Sequence, residues 1–397
     1  MRRLLLIVGG LLATAVARAS DTPPADAEAA PVESAERKGF LGRYVDQLLY
    51  GAEDPGKPQF LVYPVLAYAP ETNLELGLSG LVLFRARGDV DNRLSEIPLY
   101  VFYTLNNQYG ITFDHAIFSD ESRRSFLGEG IVADFPLAYY GIGLQAQKDD
   151  AVTVHARRLV ARERVLFRLG RSELFLGPEV GINSLGGVRF EADEGTVSVD
   201  QRPRGGAGTT NVTGGLGIAY DTRHNPLNVR SGVFGEIAWL GSSEHVLSDY
   251  SFHNLYFDLR GYQPLGADEE VIFAGQVQGQ FGGGDLPFTE LGLIGGDGMM
   301  RGYYEGRYRD RYLTTAQGEL RFLPLPLGFT QRIGAALFVA TGTVAPTWRA
   351  FGRSPWLVTG GGGLRVLTFP STDIYTRFDV GVSEDGPGFY LYVGEAF

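Results

Sequence analysis

Between Val271 and Phe281 the chain changes character at almost every step. Val271, Phe273, Val277 and Phe281 fall on one face of an extended backbone, and Gln276, Gln278 and Gln280 fall on the other. Successive side chains of a strand point to opposite faces, so this segment has one apolar side and one amide-rich side. The pattern recurs. In 254–260 Leu255, Phe257 and Leu259 oppose Asn254, Tyr256, Asp258 and Arg260, and in 374–382 Ile374, Phe378, Val380 and Val382 oppose Tyr375, Arg377 and Asp379. Sixteen alternating or β-rich stretches follow one another from Gln59 to Phe397, each long enough for the roughly 9–11 residues of a tilted spanning strand. A soluble sandwich would also alternate, with its apolar face inside. Here the second face carries Gln, Arg, Asp and Tyr in quantity, which lipid outside and a polar lumen explain. Backbone donors cannot stay unpaired in hydrocarbon, so such a sheet has to close on itself. The fold class predicted is all-β: a transmembrane antiparallel β-barrel of sixteen strands.

The rest of the composition agrees. The chain has 55 glycines, 12% aromatic residues, no cysteine and a net charge of −11. Without cysteine there are no disulfides, thiolate metal sites or cysteine nucleophiles, and the acidic balance argues against a nucleic-acid partner. Arg2 and Arg3, the apolar run Leu4 to Val16 and Ala17-Arg18-Ala19 form the three regions of a secretory signal peptide. Three parts are expected: a signal peptide over 1–19, a periplasmic linker over 20–58, and the barrel over 59–397. Within the linker, Phe40, Leu41, Tyr44, Val45, Leu48 and Leu49 recur at helical spacing, which predicts one short amphipathic helix. The connections expected at one end are long, 185–210 and 283–312. Those at the other are short, such as Gly170-Arg171 and Pro370-Ser371, the asymmetry of an outer-membrane barrel.

One long connection carries a motif. Gly295-Gly296-Asp297-Gly298-Met299-Met300-Arg301-Gly302-Tyr303 is followed by Glu305-Gly306-Arg307-Tyr308-Arg309-Asp310-Arg311. This resembles the inward-folded sixth loop of the BamA/TamA-like bacterial surface antigen superfamily, a group of sixteen-stranded outer-membrane barrels. Asp221-Thr222-Arg223, Pro226 and Ser231-Gly232 are similar to the family's turn between strands 8 and 9. The ending Val393-Gly394-Glu395-Ala396-Phe397 is similar to its last strand, in which Gly394 permits a kink and Phe397 is the C-terminal recognition signal. The resemblance implies that the loop lies between strands 11 and 12 and that Gly295, Gly296, Arg301, Gly302 and Tyr303 form its anchor. It further implies that Arg301 reaches acids on strands 12 and 13. Glu319 matches the first acid. The second is replaced by Ala340 in Phe338-Val339-Ala340-Thr341-Gly342, so Glu319 is the main expected partner and Ala340→Asp is expected to tighten the anchor. The linker is too short for a POTRA domain, which points to the POTRA-less branch of the family.

Other constellations carry less. His115, His155, His224, His245 and His253 are scattered without metal-ligand spacing, and no serine sits in a Gly-x-Ser-x-Gly elbow. No enzyme activity, metal or cofactor is expected. Arg157, Arg158, Arg162, Arg164 and Arg168 cluster on one strand, read first as lining the lumen and second as a lipopolysaccharide contact. The function expected is a multi-pass protein of the Gram-negative outer membrane that aids insertion or transport of protein or lipid. Its expected partners are outer-membrane lipids and lipopolysaccharide, with the barrel-assembly machinery during biogenesis and an undetermined client. A passive, porin-like channel is the alternative, and an outer-membrane hydrolase, which would need a nucleophile and base, the third.

Overall fold

A computed structural model describes residues 56–192, 195–198, 201–223, 228–266, 269–370 and 373–397. The signal peptide expected over 1–19 and the helix expected within 38–51 lie outside the described residues, as do all of the linker before Gly56 and Pro226 of the turn motif. Sixteen long strands follow in chain order: β1 (Gln59–Ala69), β2 (Asn73–Arg85), β3 (Leu94–Thr104), β4 (Tyr109–Phe118), β5 (Arg124–Asp134), β6 (Val152–Arg168), β7 (Leu174–Ala192) and β8 (Thr209–Asp221). They continue as β9 (Gly232–Ser242), β10 (Phe252–Pro264), β11 (Val271–Gly284), β12 (Tyr312–Phe322), β13 (Ile333–Ala345), β14 (Leu357–Phe369), β15 (Ile374–Ser383) and β16 (Gly386–Val393). Each is antiparallel to the next, Leu137–Tyr139 and Gly195–Thr196 add short edges, and Tyr68 of β1 pairs with Leu391 of β16 to close the sheet.

Burial is inverted relative to a soluble fold. Phe60, Leu78, Leu216 and Leu337 are 54–66% exposed on the outer wall, whereas Glu179, Asn211, Glu319 and Arg365 are at most 1% exposed inside. Register makes this systematic: Leu216↔Trp239 and Ile237↔Phe257 continue one apolar belt across neighbouring strands, while Glu236↔Asp258 faces inward. An apolar exterior and an ion-paired interior are what a lipid solvent selects.

The arginines of β6 divide. Arg162 and Arg164 face the lumen, where Arg162 pairs with Glu179 at 2.6 Å and Glu236 at 2.7 Å, and Arg164 pairs with Glu236 at 2.7 Å. Arg168 pairs with Glu173 beside the β6–β7 turn. Glu163, between the two lumenal arginines, is on the outer wall, where it meets His115 at 3.2 Å. Gly128 makes that contact possible: a Cβ there would lie 2.2 Å from the His115 ring.

The connection expected over 185–210 begins later. Residues 185–192 continue β7 and pair with the start of β6 past a bulge between His155 and Arg157. This extension continues beyond β5, whose last residue, Asp134, sits opposite Arg157, and Leu137–Tyr139 pairs along its β6 side. Polar outward side chains such as His155 and Glu191, 3.1 Å apart, suit a hairpin beyond the lipid belt. The longest connection, 285–311, runs between β11 and β12, the eleventh and twelfth strands.

A closed sheet of this size resists detergent, so the unboiled protein is expected to migrate faster in a gel than the boiled one. Identical migration would contradict closure.

Candidate functional site

Residues 285–311 fold against the inner wall. Gly292–Ile294 and Tyr308–Asp310 pair with each other as a small antiparallel ladder, and Ile294, Met300, Tyr303 and Tyr308 pack with Leu313, Ala340 and Val344. At the tip the chain turns through Met300 (φ 54°) and Gly302 (φ 111°). The turn presses on β15, where a Cβ on Gly381 would stand 2.5 Å from the Arg301 carbonyl carbon. Only glycine lets the two backbones come this close.

Arg301 is thereby placed with its side chain fully out of solvent. Its Nη2 donates to Glu319 Oε2 at 2.7 Å and its Nη1 to Asp379 Oδ2 at 2.6 Å. Its guanidinium lies 3.5 Å from the centroid of the Phe338 ring. Three more arginines surround the two acids. Arg365 reaches Glu319 at 3.0 Å, Asp379 at 2.6 Å and Glu395 at 2.9 Å. Arg321 reaches Glu319 at 3.3 Å, and Arg377 reaches Asp379 at 3.1 Å and also pairs with Asp297. Four guanidinium groups thus face four carboxylates drawn from the loop, β12, β14, β15 and the C-terminal tail. Such a group of buried charges is tolerable only while it is balanced and hydrogen-bonded, because each ion has given up its water.

Arg301 and Glu319 are therefore in contact. The acid opposite Glu319 is Asp379 on β15, which the family pattern did not indicate. Ala340 instead belongs to the apolar cluster around Met300 and Tyr303. An aspartate there would bury a carboxylate among apolar groups, with Asp379 already occupying the other side of the guanidinium. The tightening expected of Ala340→Asp is replaced by an expected loss.

The remaining motif residues lie around the same loop. Gly295 (φ 110°) and Gly296 (φ 107°) bend the chain before the tip, and Gly296 N–H donates to the Tyr303 carbonyl at 3.1 Å. Tyr303 is buried against Tyr308. Gly394 (φ 97°) turns the chain inward after β16. Glu395 then meets Arg365, Arg321 Nη2 donates to the Phe397 carbonyl at 3.1 Å, and the Phe397 ring packs near Tyr262.

The loop also holds both hairpins that flank the sheet closure. On the β1–β2 side, Glu305 N–H donates to Glu71 Oε1 at 2.6 Å. On the β15–β16 side, Gly302 N–H donates to Tyr390 Oη at 2.9 Å, Arg307 Nε to Asp385 at 2.6 Å, and Tyr308 Oη to Glu384 at 2.8 Å. The closure itself is short. Tyr68↔Leu391 is the single residue pair between β1 and β16 among the described residues, whereas β15 and β16 pair from Thr376↔Val393 to Ser383↔Gly386. The tail turns inward at Gly394, and among the described residues the β1–β16 ladder does not extend past Tyr68, whereas β1 pairs with β2 from Gln59↔Leu83 to Ala69↔Asn73. The lumen beside the loop holds two cavities, about 610 Å³ and about 550 Å³, both bordered by Arg260, Gln278 and Met299.

Residues 172–368 match the Omp85 superfamily domain. The fold is similar to BamA from Haemophilus ducreyi lacking POTRA domains 1-3, with a TM-score of 0.55 and 13% identity over 85% of this chain and 70% of that one. It is also similar to CdiB from Acinetobacter baumannii (TM-score 0.53, 12% identity, 85% of this chain and 65% of that one). CdiB from Escherichia coli aligns with a TM-score of 0.55 and 10% identity over 88% of this chain and 69% of that one. At these identities the likeness is one of fold. No curated protein sequence matches the chain.

Proposed function

The chain is a BamA/TamA-like barrel of the Omp85 superfamily, an outer-membrane β-barrel, and from that premise we propose that its β1–β16 closure is the working part, aiding membrane insertion or transport of protein or lipid. The observation that carries this reading is the shortness of the closure: one ladder pair, Tyr68↔Leu391, joins β1 to β16 among the described residues, against eight between β15 and β16. A closure held by so short a ladder parts more easily than the other seams, and a parted strand edge offers backbone donors and acceptors to another chain and, facing lipid, locally disturbs the membrane's packing. The sixth-loop residues Gly295, Gly296, Arg301, Gly302 and Tyr303, with Glu319, act as the anchor that sets this closure, and Gly394 and Phe397 as the kink and signal of the last strand. Outer-membrane lipids and lipopolysaccharide are the surrounding partners, the assembly machinery inserts the barrel, and the membrane is that of a Gram-negative cell.

The test uses the absence of native cysteine. Directly paired residues of antiparallel strands are about 4.5–5.5 Å apart at Cα, within disulfide reach, so Tyr68→Cys with Leu391→Cys should cross-link under oxidation. Locking the closure is expected to reproduce the phenotype of deleting the gene, read as outer-membrane proteins or lipids that mislocalise, and reduction is expected to reverse it. A locked protein with full activity would reject the closure as the working part.

The two lumenal cavities favour a second reading, a narrow conduit. Under the first reading, bilayer conductance is small in the intact protein and rises when 285–311 is removed. A large steady conductance with the loop present would support a channel.

A further inference from the structure

At the loop end, away from the Arg301 network, a crevice of about 80 Å³ lies between β6, β7 and the long loop, with Arg158, Asn183, Thr289, Glu305 and Arg309 among its walls. Two guanidinium groups border it. Arg309 is 8% exposed, and among the described residues neither it nor Arg158 forms an ion pair with a carboxylate. The Arg309 guanidinium is stacked 5.0 Å from the centroid of Tyr139 and 5.9 Å from that of Phe288, which occupies its faces. Its in-plane N–H groups remain. One Nη2 donates to the Gly306 carbonyl at a long 3.3 Å, and Nε has no partner. The Thr289 hydroxyl is likewise buried without a partner.

Among the described residues the other buried arginines, Arg301, Arg307, Arg321, Arg365 and Arg377, each pair with at least one carboxylate, so this one stands apart. An arginine has five donors fixed in a plane that matches two oxygens of one anion. We propose that this crevice is a binding site for a small oxyanion of the phosphate class, either free phosphate or the phosphate of an outer-leaflet lipid headgroup, held by Arg309 and Arg158. The Thr289 hydroxyl supplies a neutral contact, while Asn183 Nδ2 donates to the Thr289 carbonyl at 3.2 Å. The acids nearby are Glu290 and Glu305. Burial pushes the Glu290 carboxyl up to about 7, which reduces its opposition to an anion. Burial also holds Arg309 down at about 10, a charge that an anion in the crevice would stabilise. The site is separate from the proposed closure, so the two ideas fail independently.

The test measures binding of inorganic phosphate to the full chain in non-ionic detergent by titration calorimetry. Saturable binding at one site per chain is expected. Arg309→Met keeps an apolar stem between Tyr139 and Phe288 and removes the charge, and Arg158→Gln removes the second. Each is expected to weaken binding at least about tenfold, the loss of one charge-assisted hydrogen bond, with gel migration before boiling unchanged. Competition by lipid A, but not by its dephosphorylated form, would identify the lipid as the source. Phosphate binding that lipid A leaves untouched would identify the free ion. Absence of saturable binding, or equal affinity in both folded variants, would overturn the site.

Discussion

Replacing Glu319 by alanine is expected to detach the long loop and leave it open to protease between 285 and 311. Glu319 contacts Arg301, Arg321 and Arg365 at 2.7–3.3 Å, and all of these side chains are out of solvent. Its removal leaves four guanidinium groups against three carboxylates in a space with little water. Breaking a buried pair in this way costs about 3–5 kcal/mol. Asp379→Ala is expected to act similarly, since Asp379 holds Arg301, Arg365 and Arg377. Retaining shape while losing charge, as in Glu319→Gln, should cost nearly as much, which separates electrostatics from packing. The decisive measurement is a double-mutant cycle of Arg301→Met and Glu319→Gln, read from the temperature at which gel migration shifts. A coupling above about 0.5 kcal/mol is expected for residues sharing a network. Additive effects would mean that the contact contributes nothing to loop docking. Ala340→Asp, which adds an acid where apolar side chains meet, should lower the same temperature.

Strand faces were readable because lipid enforces period-two patterning with little exception: Leu255, Phe257 and Leu259 could face only one way. The loop was readable for a different reason. Its glycines mark turns and close approaches that no other residue makes, as at Gly302 against β15. Asp379 falls on the polar face of its strand, yet nothing in sequence spacing says that one loop arginine reaches both it and Glu319, three strands away on β12. That juxtaposition comes from the curvature of the wall and the inward fold of the loop. The same holds for Arg321, Arg365, Arg377 and Glu395, each an ordinary inward polar residue until the barrel brings three strands, the loop and the tail together. The β6–β7 extension was missed because Gly186-Gly187 reads as a loop, although here those glycines lie in an extended hairpin. Arg309 lay within the quoted motif, but its isolation from acids depends on Tyr139 and Phe288, brought in from two other segments.

Stability is expected to fall as pH rises from about 4.5 to about 7, with Glu71 as one identifiable cause. Glu71 occupies the β1–β2 turn, 4% exposed, and burial pushes its carboxyl up from 4.5 to about 7. The backbone N–H groups of Glu71 and Glu305 oppose this by hydrogen-bonding the carboxylate, and the neighbouring acids Glu305 and Asp297 add smaller pushes upward. A raised carboxyl means that the folded state binds the proton more tightly than the unfolded chain. Below the unfolded value both states are protonated and the turn carries no charge penalty. As pH rises through the window the folded state is left holding a buried anion, and above the folded value the penalty is complete. A shift of this size corresponds to at most about 3 kcal/mol, at 1.36 kcal/mol per pH unit. Glu71→Gln keeps the acceptor for Glu305 and removes the charge. It should match the wild type at pH 4.5 and exceed it at pH 8 in the temperature of the gel-migration shift. Since Glu71 joins the loop to one flank of the closure, the same variant should also make 285–311 more protease-resistant at pH 8. If wild type and Glu71→Gln lose stability in parallel across the window, the pH dependence arises elsewhere and Glu71 does not hold the loop to β1 and β2.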